Sequence, residues 1–268
     1  MFMRLLCFSD VHGSTDAIRT LLGDVERRGV PYDAFVFAGD LTNLSSLKKT
    51  QKERDAIEKA LGEASKSSKK YKAYVAERNE RFFEESKRTA REILGLLARE
   101  EIPCYYIFGN RDRLGKYGLA DVRELSESRY SVCLDRIRKA DAGEISFTAD
   151  EKLIDGRTVL VRHSPGGWRE SYRVHRDALL DITGHTHQAI VYGNFLNTGF
   201  LYRDETRGAV PMMGGYFSVE LSDRRLISIT YNDIGGLVEH DFTLYGAPGK
   251  VYSVHKSYFP FTLKIVRR

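Results

Sequence analysis

Ala178-Leu179-Leu180-Asp181-Ile182-Thr183-Gly184-His185-Thr186-His187 is the stretch that decides how this chain is read. A short apolar run of strand length stops at a glycine, and two imidazoles follow within four residues. That pairing is rare in average composition. Working outward, the same junction recurs along the chain. The run 158–162 precedes His163, and 103–108 precedes Gly109-Asn110-Arg111-Asp112. The run 34–38 precedes Gly39-Asp40, and 4–8 precedes Asp10-Val11-His12. Where a strand ends the backbone turns sharply, and side chains there point into the crevice above the sheet. Hard oxygen donors and imidazoles converging from strand ends suit a two-metal hydrolytic centre.

The signals differ in weight. Gly39-Asp40 alone is an ordinary turn pair, and Asp10-Val11-His12 alone says little more. Each histidine taken singly reads equally well as a satisfied core or surface imidazole. Together they say more, because four of the seven histidines (His12, His163, His185 and His187) fall at strand-end junctions beside carboxylates and an amide. No cysteine lies in the set, which argues against a soft thiolate site. Imidazole, carboxylate and amide donors suit Mn²⁺, Fe or Zn²⁺ without choosing among them. Glycine beside Asp40, Asn110 and His185 suggests tight turns that need positive φ or close approach.

In this order the residues resemble the calcineurin-like metallophosphoesterase family, whose pattern is D-x-H, GD, GNH[DE], a lone His and GHxH. Asn197-Thr198-Gly199 resembles that family's closing N-[TP]-G turn. The resemblance implies two divalent metal ions. Asp10, His12 and His187 would hold the first, and Asn110, His163 and His185 the second. Asp40 would bridge them, a role suited to a carboxylate because its two oxygens can bind cations about 3.5–4 Å apart. The implied reaction is phosphoester hydrolysis by metal-hydroxide attack.

One position departs from the pattern, since Arg111 stands where the family places the histidine that assists the leaving group. Arginine cannot donate that proton, its pKa lying above about 12. It can clamp a phosphate oxygen through its planar fork. Family members without this histidine resemble phosphodiesterases more than phosphomonoesterases, so phosphodiesters are the favoured substrates. Asp112 would orient Arg111 by an ion pair. The stretch 163–176 adds Trp168, Arg169, Tyr172, Arg173 and His175, a candidate aromatic and cationic wall. Within it, Arg169 and Arg173 are candidate substrate contacts and His175 a candidate replacement acid. Two further functions stay open: a nuclease acting on DNA or RNA, and a catalytically silent scaffold of the same fold.

Apolar runs alternate with helical patterns in the first half: strand 4–8, helix 15–28, strand 34–38, helix 72–100, strand 103–108. Strands dominate after residue 144, at 144–148, 157–162, 178–183, 188–193, 215–221 and 226–231. Such alternation argues a layered α/β fold. By resemblance it is a four-layer α-β-β-α sandwich of two mixed sheets flanked by helices, a single domain over 1–268. Within it, 202–268 reads as a strand-rich extension whose tail is an edge strand or interaction surface. Residues 44–99 read as a charged helical insertion, a hairpin of 48–63 and 71–99 broken near 65–70. In its second arm Val75, Phe82, Phe83, Ala90, Ile93, Leu94 and Leu97 form an apolar stripe. The insertion is either a basic lid, a homodimerisation arm, or a solvated face packed on the sheet.

Composition sets the outer limits. The chain has 268 residues, of which 42% are hydrophobic, and no apolar run long enough to span a membrane. Its net charge is +5, and residues 48–91 alone carry 14 Lys and Arg against 8 Asp and Glu. Mildly basic charge permits a polyanionic partner such as nucleic acid but is also an ordinary solubility feature. The apolar start at 1–8 runs directly into Asp10 and His12 and reads as a first strand rather than a leader. Cys7, Cys104 and Cys133 show no metal or disulfide spacing, which suggests a reducing cytoplasm.

Overall fold

The computed structural model describes residues 2–42, 59, 69–112, 118, 119, 122, 125, 128–166, 173–203, 212–222, 224–235, 242–245, 252–256 and 263–267. The first arm of the expected hairpin (48–63) apart from Lys59, most of the 65–70 break, and Trp168, Arg169 and Tyr172 lie outside these residues.

Strand β1 (Phe2–Phe8) is fixed by its alternation. Met3, Leu5 and Cys7 enter one hydrophobic cluster, while Leu6 and Phe8 enter another. Strands β2 (Ala34–Phe37) and β3 (Cys104–Tyr106) repeat the division. Ala34, Val36 and Tyr105 face the first cluster, and Phe35, Phe37, Cys104 and Tyr106 the second. Burial on both faces with period two marks central strands of a covered parallel sheet. β1, β2, β3 and β4 (Ser131–Cys133) do run parallel.

On its other side β1 pairs antiparallel with β13 (Gly215–Ser222), which pairs with β14 (Arg225–Asp233), which pairs with β15 (Phe242–Tyr245). The result is a mixed seven-stranded sheet. Of the region after residue 202, β13, β14 and β15 are therefore built into the main sheet beside β1. The second sheet has six strands: β5 (Ala140–Ala142), β6 (Ile145–Thr148), β7 (Thr158–Val161), β8 (Leu180–Thr183), β10 (Phe195–Thr198) and β9 (Ala189–Tyr192), in that order. β6, β7, β8 and β10 are parallel, and the two edge strands are antiparallel. β11 (Tyr202–Arg203) with β12 (Met212–Met213), and β16 (Tyr252–Lys256) with β17 (Leu263–Arg267), form two small ribbons.

The first cluster lies between the two large sheets, joining Leu5, Val36 and Val219 to Phe147, Val159, Ile182 and Leu196. The second cluster lies between the seven-stranded sheet and two helices, α1 (Thr15–Arg28) and α2 (Lys69–Ala98). This is the expected layered sandwich of two mixed sheets, and among the described residues both long helices cover the seven-stranded sheet. Ser14 caps α1 by accepting the Ala17 N–H, and Gly29 closes it in the left-handed conformation. α2 is buried mainly over its last turns, with Arg78 buried nearer its start and Phe83 partly buried against the second cluster. Ala90, Ile93, Leu94 and Leu97 are buried, whereas Val75, Phe82 and Phe83 are only half-buried. The expected stripe is thus a core stripe only over the last turns. No described helix is long and apolar enough to cross a membrane.

Candidate metal centre

The C-terminal ends of β1, β2, β3, β7 and β8 meet at one edge of the sandwich, where the loops interlock through the backbone. The Asp10 N–H donates to Gly39 O, those of Val11 and His12 both donate to Asp40 O, and that of Gly184 donates to His163 O. Seven described non-glycine residues have positive φ, and five of them are Asp10, His12, Asp40, His185 and His187. A left-handed L-residue costs about 1–2 kcal/mol, somewhat less for Asp. Such strain persists only where the surroundings impose it, and it clusters at functional sites.

The glycines serve mainly for close approach. A Cβ on Gly109 would sit 2.0 Å from Asp40 Oδ1, so no other residue fits there. Gly39 does have positive φ, as expected. After Gly184 the left-handed turn falls on His185 instead, a correction to the simplest expectation for that glycine.

Two groups of ligand atoms gather in the crevice, each with its atoms within 4.8 Å of one another: Asp10, His12 and His187, and Asp40, His163 and His185. In the first, His187 Nε2 lies 3.0 Å from Asp10 Oδ1 and 3.0 Å from His12 Nε2, and His12 Nε2 is 3.7 Å from Asp10 Oδ1. Donors held about 2.0–2.1 Å from one ion are spaced by a little over 3 Å, so these separations fit a shared cation. Asp10 Oδ1 is buried without a hydrogen-bond partner, which a cation would supply. In the second group His163 Nε2 is 3.3 Å from Asp40 Oδ1. Asn110 Oδ1 joins it, 2.8 Å from both His163 Nε2 and His185 Nδ1. The structure therefore brings together Asp10, His12, Asp40, Asn110, His163, His185 and His187, and the residues present fit two divalent ions.

Their support is hydrogen-bonded throughout. His163 Nδ1 lies 2.8 Å from Ala38 O; an N–H donated there leaves Nε2 free for a cation. Asp10 Oδ2 accepts from the His185 N–H at 2.9 Å and from the Ser9 hydroxyl. Ser9 Oγ in turn lies 2.6 Å from Thr198 Oγ1, and Asn197 Nδ2 donates to Gly184 O at 2.8 Å. Ser9 escaped the sequence reading, because a lone serine between a strand and an Asp-x-His carries no signal of its own.

Charge follows the same pattern. Burial raises the Asp10 pKa, but the charge of His187, with His163 and His12, holds it well below the usual carboxylate range. Burial opposes protonation of His163, yet Asp40 and Asp10 push its pKa up to about 9. His185 is lowered by burial and then by the charge of His163. Asp10 is thus anionic at neutral pH, the state in which a carboxylate ligates a cation.

The sequence profile of the calcineurin-like phosphoesterases matches residues 3–193, which include every one of these ligands. The chain belongs to the calcineurin-like phosphoesterase family. One solved crystal structure shares the fold with a TM-score of 0.57 at 15% identity, over 88% of this chain and 100% of that one. TT1561 of Thermus thermophilus does so with a TM-score of 0.50 at 12% identity, over 87% of this chain and 99% of that one. No curated protein sequence matches significantly. Membership in the calcineurin-like phosphoesterases supports a phosphoesterase hydrolase acting on a phosphoester.

The position where these phosphoesterases carry histidine is occupied by half-buried Arg111. Its backbone N–H donates to Asp40 Oδ1 at 2.8 Å, which sets the residue beside the second ligand group. The expected Arg111–Asp112 ion pair is not what engages Asp112. Its buried carboxylate accepts from the N–H groups of Leu41, Thr42 and Gly109 and from the Thr42 hydroxyl, at 2.8 to 3.0 Å. These donors occupy both carboxylate oxygens, so Asp112 staples the Asn110 turn to the Asp40 loop. Burial and then the charge of Asp40 raise its pKa to about 6, against those donors.

His175 and Arg173 are not brought to the ligand groups. His175 Nε2 lies 3.4 Å from Glu151 Oε1, and Arg173 Nη1 3.1 Å from Glu151 Oε2. The same strand region holds a buried pair, Arg162 with Asp181 at 2.7 Å, and Asp181 also accepts the His175 N–H. Arg169 lies outside the described residues.

Proposed function

We propose that this protein is a dinuclear metal-dependent phosphoesterase that prefers phosphodiesters. The observation that carries the proposal is the pair of adjoining ligand groups, complete in every position and strained into place by positive φ. That completeness separates it from a silent scaffold of the same fold. Asp10, His12 and His187 would hold one ion and Asn110, His163 and His185 the other, with Asp40 between them. Divalent ions such as Mn²⁺, Fe or Zn²⁺ supply Lewis-acid polarisation of the phosphoryl group and an activated water.

The chain supplies the rest. Ala38 O and Ser9 fix the orientation of His163 and Asp10, and Asp112 holds the Asp40 and Asn110 loops in register. Arg111 is assigned the clamp on a non-bridging phosphoryl oxygen, where its fork stabilises developing negative charge. Because Arg111 has no proton to give, the leaving oxygen takes its proton from solvent. That favours esters with good leaving groups, and the preference for diesters rests on the likeness of family members without this histidine to phosphodiesterases. His175, paired with Glu151, is assigned a positioning role in the loop after His163 rather than proton donation. The free, buried Cys7, Cys104 and Cys133 favour a reducing compartment, and we place the protein in the cytoplasm.

The test is Mn²⁺-dependent hydrolysis of bis-p-nitrophenyl phosphate against p-nitrophenyl phosphate. Faster turnover of the diester supports the assignment, and faster turnover of the monoester overturns the preference.

A further inference from the structure

A cavity of about 160 Å³ opens beside the first ligand group, between the metal-side loops and the helix α2. His12 and Thr42 form its floor, and Phe82, Glu85, Ser86 and Thr89 form its wall. The wall residues fall at i, i+3, i+4 and i+7, one face of a helix. The helix is held against the site by its last turns, where Ala90, Ile93, Leu94 and Leu97 are buried, and by the 2.7 Å ion pair of Arg19 with Glu92. Arg78 lies over the Phe82 ring at 5.1 Å and steadies it.

The chemistry of this wall runs against the composition of its helix. Although 48–91 is rich in cations, no Lys or Arg among the described residues lines the cavity. Lys87, next in sequence to Ser86, pairs with Glu84 at 2.5 Å. The wall instead offers a carboxylate, hydroxyls and an aromatic ring. A carboxylate facing the site repels a second phosphate and accepts hydrogen bonds from hydroxyl groups, as acidic residues do from ribose. A phenyl ring packs on the C–H face of a sugar or on a base. The volume is below the roughly 300–1,000 Å³ of pockets that enclose a whole ligand, so it suits one ring.

We propose that this cavity is the subsite for the organic group of the ester, and that it selects a ring bearing a vicinal diol, with Glu85 accepting the two hydroxyls and Phe82 packing on the ring. This rests on the phosphoesterase assignment for the neighbouring centre. A ribonucleotide and a hexose phosphate both carry such a diol. In hydrolysis the water oxygen forms a bond to phosphorus, the bond to the leaving oxygen breaks, and that oxygen takes up a proton. The diol-bearing group stays on the phosphoryl product.

The experiment compares kcat/KM, with Mn²⁺, for four p-nitrophenyl diesters that share one leaving group: adenosine 5′-, 2′-deoxyadenosine 5′-, glucose 6- and methyl p-nitrophenyl phosphate. At least one diol ester should exceed both the deoxy and methyl esters by about tenfold, the value of one hydrogen bond to a charged acceptor. The better of the adenosine and glucose esters identifies the source of the diol. In Glu85→Gln that advantage should shrink to about twofold or less. Equal rates for all four esters, or an unchanged advantage in Glu85→Gln, would overturn the proposal. Calorimetric binding of adenosine and 2′-deoxyadenosine, and of methyl glucoside, to metal-free protein tests the cavity without turnover. A diol ligand binding at least about tenfold tighter than 2′-deoxyadenosine supports the subsite, and no such preference overturns it. Absence of any hydrolysis, with that preference intact, would count against the phosphoesterase assignment and not the cavity.

Discussion

The ligand loops and the helix α2 meet at His12 and Thr42, yet they are held in opposite ways. Every ligand loop is closed by backbone hydrogen bonds to its neighbours, and its left-handed residues are fixed from several sides. The helix is buried over its last turns and carries half-buried residues and the exposed Glu85 where it faces the centre. A centre assigned to cations is thereby over-determined. The wall beside it can change its chemistry without disturbing the core. Metal binding and substrate choice should therefore respond to different substitutions.

The largest expected effect lies in the loops. Asp40→Asn keeps the size of the side chain but removes charge from the residue assigned to both ions. Turnover of bis-p-nitrophenyl phosphate should fall more than about 100-fold, beyond the 10–100-fold typical of residues one step removed from a metal. A rate within tenfold of the parent would break the contrast between loops and wall. Next comes the anchored end of α2. Leu97→Ala should lower stability by about 2–5 kcal/mol, read from denaturant midpoints, with metal stoichiometry unchanged in the folded fraction. Asp112→Asn replaces an acceptor of three backbone N–H groups with an amide that must turn a donor toward one of them. Metal affinity should drop about 10–100-fold, measured by titration, with the fold retained.

The smallest effect lies far from the site. Glu220 pairs across β1 and β13 with Arg4 at 2.7 Å and accepts from Ser228. The Ser228 hydroxyl and then Arg4 hold its pKa below the ordinary 4.5. A depressed carboxyl stabilises the fold above its unfolded pKa and loses that contribution as pH falls through its folded value. Glu220→Gln should therefore cost less than about 1 kcal/mol at pH 7, a difference that vanishes in acid. A cost that grows on acidification would reverse the sign.

The same contrast explains what the sequence could reveal. The apolar runs mark the strand ends before Asp10, Asp40, Asn110, His163 and His185, while their roles as ligands are what the family resemblance implies. β1, β2 and β8 were legible for the same reason, because parallel strands buried on both faces read as continuous apolar runs. The short strands β4 and β5 were not, since three residues give no period to detect. The donors to Asp112 were not legible, because Leu41 and Thr42 come from a loop some seventy residues away. Phe82 matched a core stripe by spacing, and only the docking of α2 leaves it at a cavity. A helical period says which residues share a face but not what that face meets.

The most direct test of the central claim is a count of bound ions by equilibrium Mn²⁺ titration of the metal-stripped protein. Two tight equivalents per chain are expected, because two complete ligand groups share the crevice. One equivalent or none would contradict a dinuclear centre.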